Sequence, residues 1–145
     1  QPRGTTNGSM TVYLDTNRAD TLGPADIELA GLHIWHLEPE SAATHGMRLL
    51  VCGSYPEAEA WTHDLIPLRV FQNWVDEVDS LYKTLVGQAI LYETNISIRI
   101  TMEKGGHLDL KVLILDEFNF RWSLDQTYLV DFLRDCRKIL AKFAM

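Results

Sequence analysis

The chain has 145 residues, 46% of them hydrophobic and 23% charged, which suits one domain with a sizeable core and no metal or disulfide staples. Its 13 Lys and Arg against 20 Asp and Glu give a formal net charge of -7, which argues against a broad grip on nucleic acid or an anionic membrane and favours a basic partner. No apolar run approaches the roughly 20 residues of a membrane-spanning helix, and the opening does not read as a secretion leader, so a cytoplasmic protein is expected.

Residues 1–9, rich in Gly, Thr, Asn and Ser, read as an appended tail ahead of a native start at Met10. The tail holds one cation, Arg3, and no acid, so residues 10–145 carry 12 cations against 20 acids, or -8. These residues are expected to form a single domain, without internal repeats. Thr11 to Leu14 suggests a short strand, followed by turn residues from Asp15 to Pro24. Ile27, Leu29, Leu32, Ile34, Trp35 and Leu37 mark a strand with a bulge or bend at Gly31, and Met47 to Cys52 reads as a buried strand, with a loop from Glu38 to Gly46 between them. Glu57 to Val70 is a further extended segment that Pro67 confines to a sheet edge or a strand end.

Phe71, Trp74, Val75, Val78, Leu81, Tyr82 and Leu85 recur at helical spacing, predicting a helix over about 71–86, with Gly87 placed for a left-handed C-cap. Asp79 and Lys83 are spaced for an i,i+4 ion pair on its polar face. Ile96, Ile98, Ile100 and Met102 then alternate with polar residues, as do Leu108, Leu110, Val112 and Ile114. Their apolar faces coincide if Lys104, Gly105 and Gly106 form a three-residue turn that pairs Glu103 with His107 and Ile100 with Leu110. The opposite face, with Ser97, Arg99, Thr101, Asp109 and Lys111, is expected to be wet. Phe118 to Leu124 is a last strand. Asp125 is a candidate N-cap, and Tyr128, Leu129, Phe132, Leu133, Cys136, Ile139, Leu140 and Phe143 stripe a second helix over about 126–143. Arg137, Lys138 and Lys142 suit the negative end of its dipole. The fold class is α+β: an antiparallel β-sheet with both amphipathic helices packed on one face.

Chemistry-bearing motifs are sparse. His33 and His36 lie three apart in a strand and point to opposite faces, so they cannot share a metal ion. Gly105 and Gly106 lack the strand-to-helix setting of a phosphate cradle. Cys52 and Cys136 sit singly in apolar surroundings that raise a thiol pKa, which disfavours a nucleophile working with His63 or His107. Trp35, Trp61, Trp74 and Trp122 are core candidates, because stacked bases would need basic neighbours. No catalytic residue, metal or cofactor is expected.

The runs Phe71-Gln72-Asn73-Trp74-Val75 and Leu81-Tyr82-Lys83-Thr84-Leu85-Val86-Gly87-Gln88-Ala89, the strand Gly106-His107-Leu108-Asp109-Leu110, and Asp125-Gln126-Thr127-Tyr128-Leu129 with Phe132, Leu133, Ile139, Leu140 and Phe143 carry a further signal. Together they resemble the WapI-type immunity proteins of bacterial polymorphic and contact-dependent toxin systems. The resemblance covers residues 71–143 and implies a non-catalytic protein that binds and neutralises the C-terminal domain of a cognate toxin. A net charge of -8 fits a basic toxin, such as a nuclease. Asp76, Glu77, Asp79, Asp116 and Glu117 are the candidate contacts, chosen for their density on polar faces. Two other readings stay open: a ligand-binding or enzymatic domain with a pocket between sheet and helices, and a homodimer formed through a sheet edge.

Overall fold

The computed structural model describes residues 10–12, 23–37 and 46–143. The tail at 1–9, the end of the Thr11–Leu14 strand, most of the Asp15–Pro24 stretch and residues 38–45 of the expected loop lie outside the described residues.

The first sheet contains β1 (Met10–Val12), β2 (Ile27–Leu29), β3 (Leu32–Leu37), β4 (Gly46–Tyr55) and β5 (Ala58–Pro67), in the order β1-β5-β4-β3-β2. β2 to β5 form an antiparallel meander, and β1 pairs with β5 in parallel. β4 reads as an almost unbroken apolar run because both its faces are buried. Met47, Leu49 and Val51 enter the main core, while Leu50 and Cys52 join Trp35, Leu37 and Trp61 in a second cluster on the other face. There the Trp35 and Trp61 rings stack at 5.3 Å.

The Ile27–Leu37 run is a hairpin and not one bent strand. Leu29 pairs with Leu32 across Ala30 and Gly31, and Ala30 takes a φ of 53°. A glycine is needed at 31 for space: a Cβ there would run into the Ser54 carbonyl and the Trp122 ring.

α1 (Leu68–Thr84) buries Phe71, Trp74, Val75, Val78 and Leu81. It starts three residues before the expected 71 and takes in Val70, which had read as strand, because Pro67 both closes β5 and occupies the N-cap with φ -58°. Proline has a fixed φ and no N–H to lose at that boundary. The left-handed cap falls on Leu85, φ 60°, whose N–H donates to the Leu81 carbonyl at 2.8 Å. Gly87 opens the next strand instead.

The second sheet is β6 (Gly87–Tyr92), β7 (Ile96–Glu103), β8 (His107–Ile114) and β9 (Phe118–Asp125), antiparallel in that order. The β7–β8 register is the expected one, with Glu103 opposite His107 and Ile100 opposite Leu110. Gly105 and Gly106 carry the positive φ of the turn, 84° and 82°. α2 (Tyr128–Ala141) buries Leu129, Phe132, Leu133, Cys136 and Ile139. It starts two residues after the expected 126, where the Asp125 carboxylate accepts the Thr127 N–H at 2.8 Å and holds a turn just ahead of it, and it ends two residues before 143. Tyr128, assigned to the apolar stripe, is exposed in the first turn.

The fold is α+β, with the strands divided between two sheets where one was expected. β1 occupies the outer edge of β5, and α1 intervenes before β6, so the second meander starts a new sheet. The chain thus runs twice through four antiparallel strands and a helix. α1 packs on β6 and α2 on β2, so each helix reaches the other meander, and Trp74 meets Phe132 edge-on at 5.7 Å between them. One core gathers the inner faces of both sheets and both helices. At the seam, Gly53 and Gly31 leave room for Phe120 and Trp122 of β9, and the Tyr55 hydroxyl accepts the Arg121 N–H at 2.6 Å. A second link has the Asp64 carboxylate accepting the Asn95 N–H at 2.8 Å, while the Asn95 amide donates to the His63 carbonyl at 2.8 Å.

Candidate partner-binding surfaces

Both cysteines lie inside hydrophobic clusters. Cys52 and Cys136 are buried free thiols. Burial, helped by Glu59, pushes the Cys52 thiol up to about 12, and burial raises Cys136 as well. The reactive thiolate is therefore suppressed at both positions. His33 lies 3.2 Å from the Glu28 carboxylate on the outer face of the first sheet, whereas His36 is buried and faces Phe143. Among the described residues no group of three or more His, Cys, Asp or Glu is placed to hold a metal ion. The main hydrophobic core lies between the sheets and the helices.

The five candidate acids fall in two places. Asp76, Glu77 and Asp79 stand on the polar face of α1, where Asp79 makes the expected pair with Lys83 at 3.1 Å. Arg137 of α2 also reaches Asp79 at 3.4 Å and Asp76 at 3.7 Å. That cross-helix pairing could not be read from spacing, because the two residues are about sixty positions apart and only the docking of α1 on α2 brings them together. The pairs are exposed and contribute little to stability, but they spend part of the negative potential of α1 internally.

Asp116 and Glu117 occupy the β8–β9 turn, away from those cations. Leu115 and Asp116 both adopt the left-handed region, φ 58° and 57°, a conformation that leucine seldom takes. Leu115 packs against the core while Asp116 and Glu117 are exposed. Glu117 also borders a shallow hollow of about 300 Å3 with Tyr55, Glu59 and Asn119, so the first sheet adds a carboxylate there.

The outer face of the second sheet is a surface that charge counting had passed over. Arg99 pairs with Lys111 across β7 and β8, and Lys111 with Arg121 across β8 and β9, so three cations stand side by side on the outward face. All three are exposed. Ile90 heads the same row on β6, and Tyr92, 69% exposed, heads the next. Asp109, expected to be wet, is only 8% exposed and accepts from the Arg121 guanidinium at 2.7 Å. The strong hydrogen bond explains its burial, and it also holds the Arg121 pKa above its ordinary value. The alternation around Arg99 and Lys111 was visible in the sequence, but the alignment with Arg121 required the β8–β9 register.

Residues 54–144, well over half of the chain, match the model of the immunity protein WapI-like family. The chain belongs to the WapI-like immunity protein family. The match begins at the end of β4 and takes in β5, α1, the whole second sheet and α2. Every candidate acid and the cation row thus lie within the matched region. No curated protein matches the chain. Among solved structures, the Trypanosoma bruciei MRP1/MRP2 crystal structure is similar over 90% of this chain and 94% of that one, with 14% identity and a TM-score of 0.43.

Proposed function

We propose that this protein binds a cognate toxin domain in the bacterial cytoplasm and neutralises it by contact, without catalysis. The observation that carries the reading is the family match over residues 54–144. The suppressed thiols agree with a protein that works through its surface. The toxin is the C-terminal domain of a polymorphic or contact-dependent toxin, basic overall and possessing an activity, such as a nuclease, that contact can block. A chain of net charge -7 meets such a partner quickly, because opposite potentials raise the encounter rate.

Asp116 and Glu117 are the acids best suited to that contact, as among the described residues neither makes an ion pair. Asp76, Glu77 and Asp79 contribute less, because Lys83 and Arg137 share their field. Co-expression with the C-terminal domain of the secreted protein encoded beside this chain tests the reading. Growth is expected to be restored and a 1:1 complex recovered. A toxic domain that is neither bound nor neutralised would overturn it.

A further inference from the structure

The cation row on the outer sheet face carries a local cost. Like charges directly opposite on neighbouring strands destabilise a sheet, and Arg99, Lys111 and Arg121 put two such pairs in succession. Arg121 is relieved by Asp109, whose carboxylate is committed to it at 2.7 Å. Among the described residues, Arg99 and Lys111 make no ion pair, and Ser97 and Thr101, which flank Arg99 on the same face, are neutral. The row is also out of keeping with the chain, which has seven more acids than cations. Local rules broken without compensation inside the molecule tend to mark functional surfaces.

The neighbours of the row define what it would take. Ile90 and Tyr92 are exposed beside it on the edge strand β6. Arginine and tyrosine next to an exposed aliphatic side chain are the composition of a protein interface. A polyanion fits less well. Three cations, one already neutralised, are few for a phosphate backbone, and Glu103 and Asp125 close one end of the same face around His107.

We propose that the outer face of the second sheet, centred on Arg99 and Lys111 with Ile90 and Tyr92 beside them, docks a carboxylate-bearing strip of the toxin domain. This rests on the immunity reading above and adds a contact of opposite sign to the acidic one. The toxin, though basic overall, then presents clustered carboxylates where it meets β6 to β8. A two-signed contact fixes orientation as well as encounter, because sliding or rotating the partner sets like charges against each other.

The test uses the full chain and, as probe, the purified C-terminal domain of the secreted protein encoded beside it. Two double variants are compared with the parent: Arg99→Glu with Lys111→Glu, and Arg99→Gln with Lys111→Gln, the second guarding against misfolding of the first. Both sites are exposed strand positions, so the melting temperature of the Gln pair is expected to match or exceed that of the parent. Toxin affinity should fall roughly tenfold for the Gln pair and about a hundredfold for the Glu pair. If the parent binds and both folded variants bind within about twofold of it, the row is not the contact, while the immunity reading stands. Absence of binding by the parent removes both. Capture of a single-stranded oligonucleotide by the parent, lost in the Gln pair, would assign the face to nucleic acid and overturn the toxin contact.

Discussion

The two meanders have the same topology and treat their outer faces in opposite ways. In the first, Trp35, Leu37, Leu50, Cys52 and Trp61 form a second buried cluster behind the sheet, so β4 is apolar on both sides. In the second, the corresponding side carries Arg99, Lys111, Arg121 and the exposed Tyr92. Strand alternation therefore reports what lies on each side of a sheet and not the topology that connects the strands. The family match takes in the last strand of the first meander, β5, and covers all of the second. The half with the open face is the one that the family shares.

Removing an aromatic ring from each outer face should separate the two most sharply. Trp61 is 9% exposed and stacked on Trp35, so Trp61→Ala should cost about 3–5 kcal/mol in chemical denaturation. Tyr92→Ala, at a 69% exposed site, should stay within about 0.5 kcal/mol while weakening toxin binding. Equal losses would end the distinction between a buried and an open face. Next comes the seam. Gly31→Ala drives a methyl group into the Ser54 carbonyl and the Trp122 ring, and a loss of about 1–3 kcal/mol is expected from overpacking. An unchanged melting temperature would mean that β9 can move off the first sheet freely.

Within the open face, Asp109→Asn should lower the melting temperature by less than either change above, since it weakens the buried acceptor of the Arg121 bond. The same variant frees Arg121 and should make toxin binding more salt-sensitive. The smallest effect is expected at Glu93, beside the Asp64–Asn95 link. Burial, then the charge of Asp64, raises its pKa. With the folded pKa above the unfolded one, folding takes up a proton between the two values, and stability falls as pH rises through that window. Glu93→Gln should therefore be slightly more stable than the parent at neutral pH, with the difference vanishing on acidification. A less stable variant at pH 7 would show that the carboxylate is a favourable partner of the link.

Much of the second half was legible because its residues obey a single constraint each. The register of β7 on β8 followed from two alternating strands and one glycine turn, and α1 followed from its stripe of Phe71, Trp74, Val78 and Leu81. The misreadings arose where two elements competed for one residue. Gly31 looked like a bend because the need for space against Trp122 is invisible locally, and Leu85 took the cap expected at Gly87 because the helix stopped two residues earlier. Asp109 looked wet because its partner, Arg121, stands on a strand whose pairing the sequence did not specify.

The sequence by itself determined the α+β class, both helices, the glycine hairpin and the family resemblance, since all of these rest on periodicities and turn residues close together in the chain. Only the tertiary structure decided that the strands form two sheets, that Arg137 mutes the acids of α1, and that Arg99, Lys111 and Arg121 stand in one row. Those features depend on strand register and helix docking between residues far apart in sequence, where each pairing is set by the fit of the whole core and no local pattern records it.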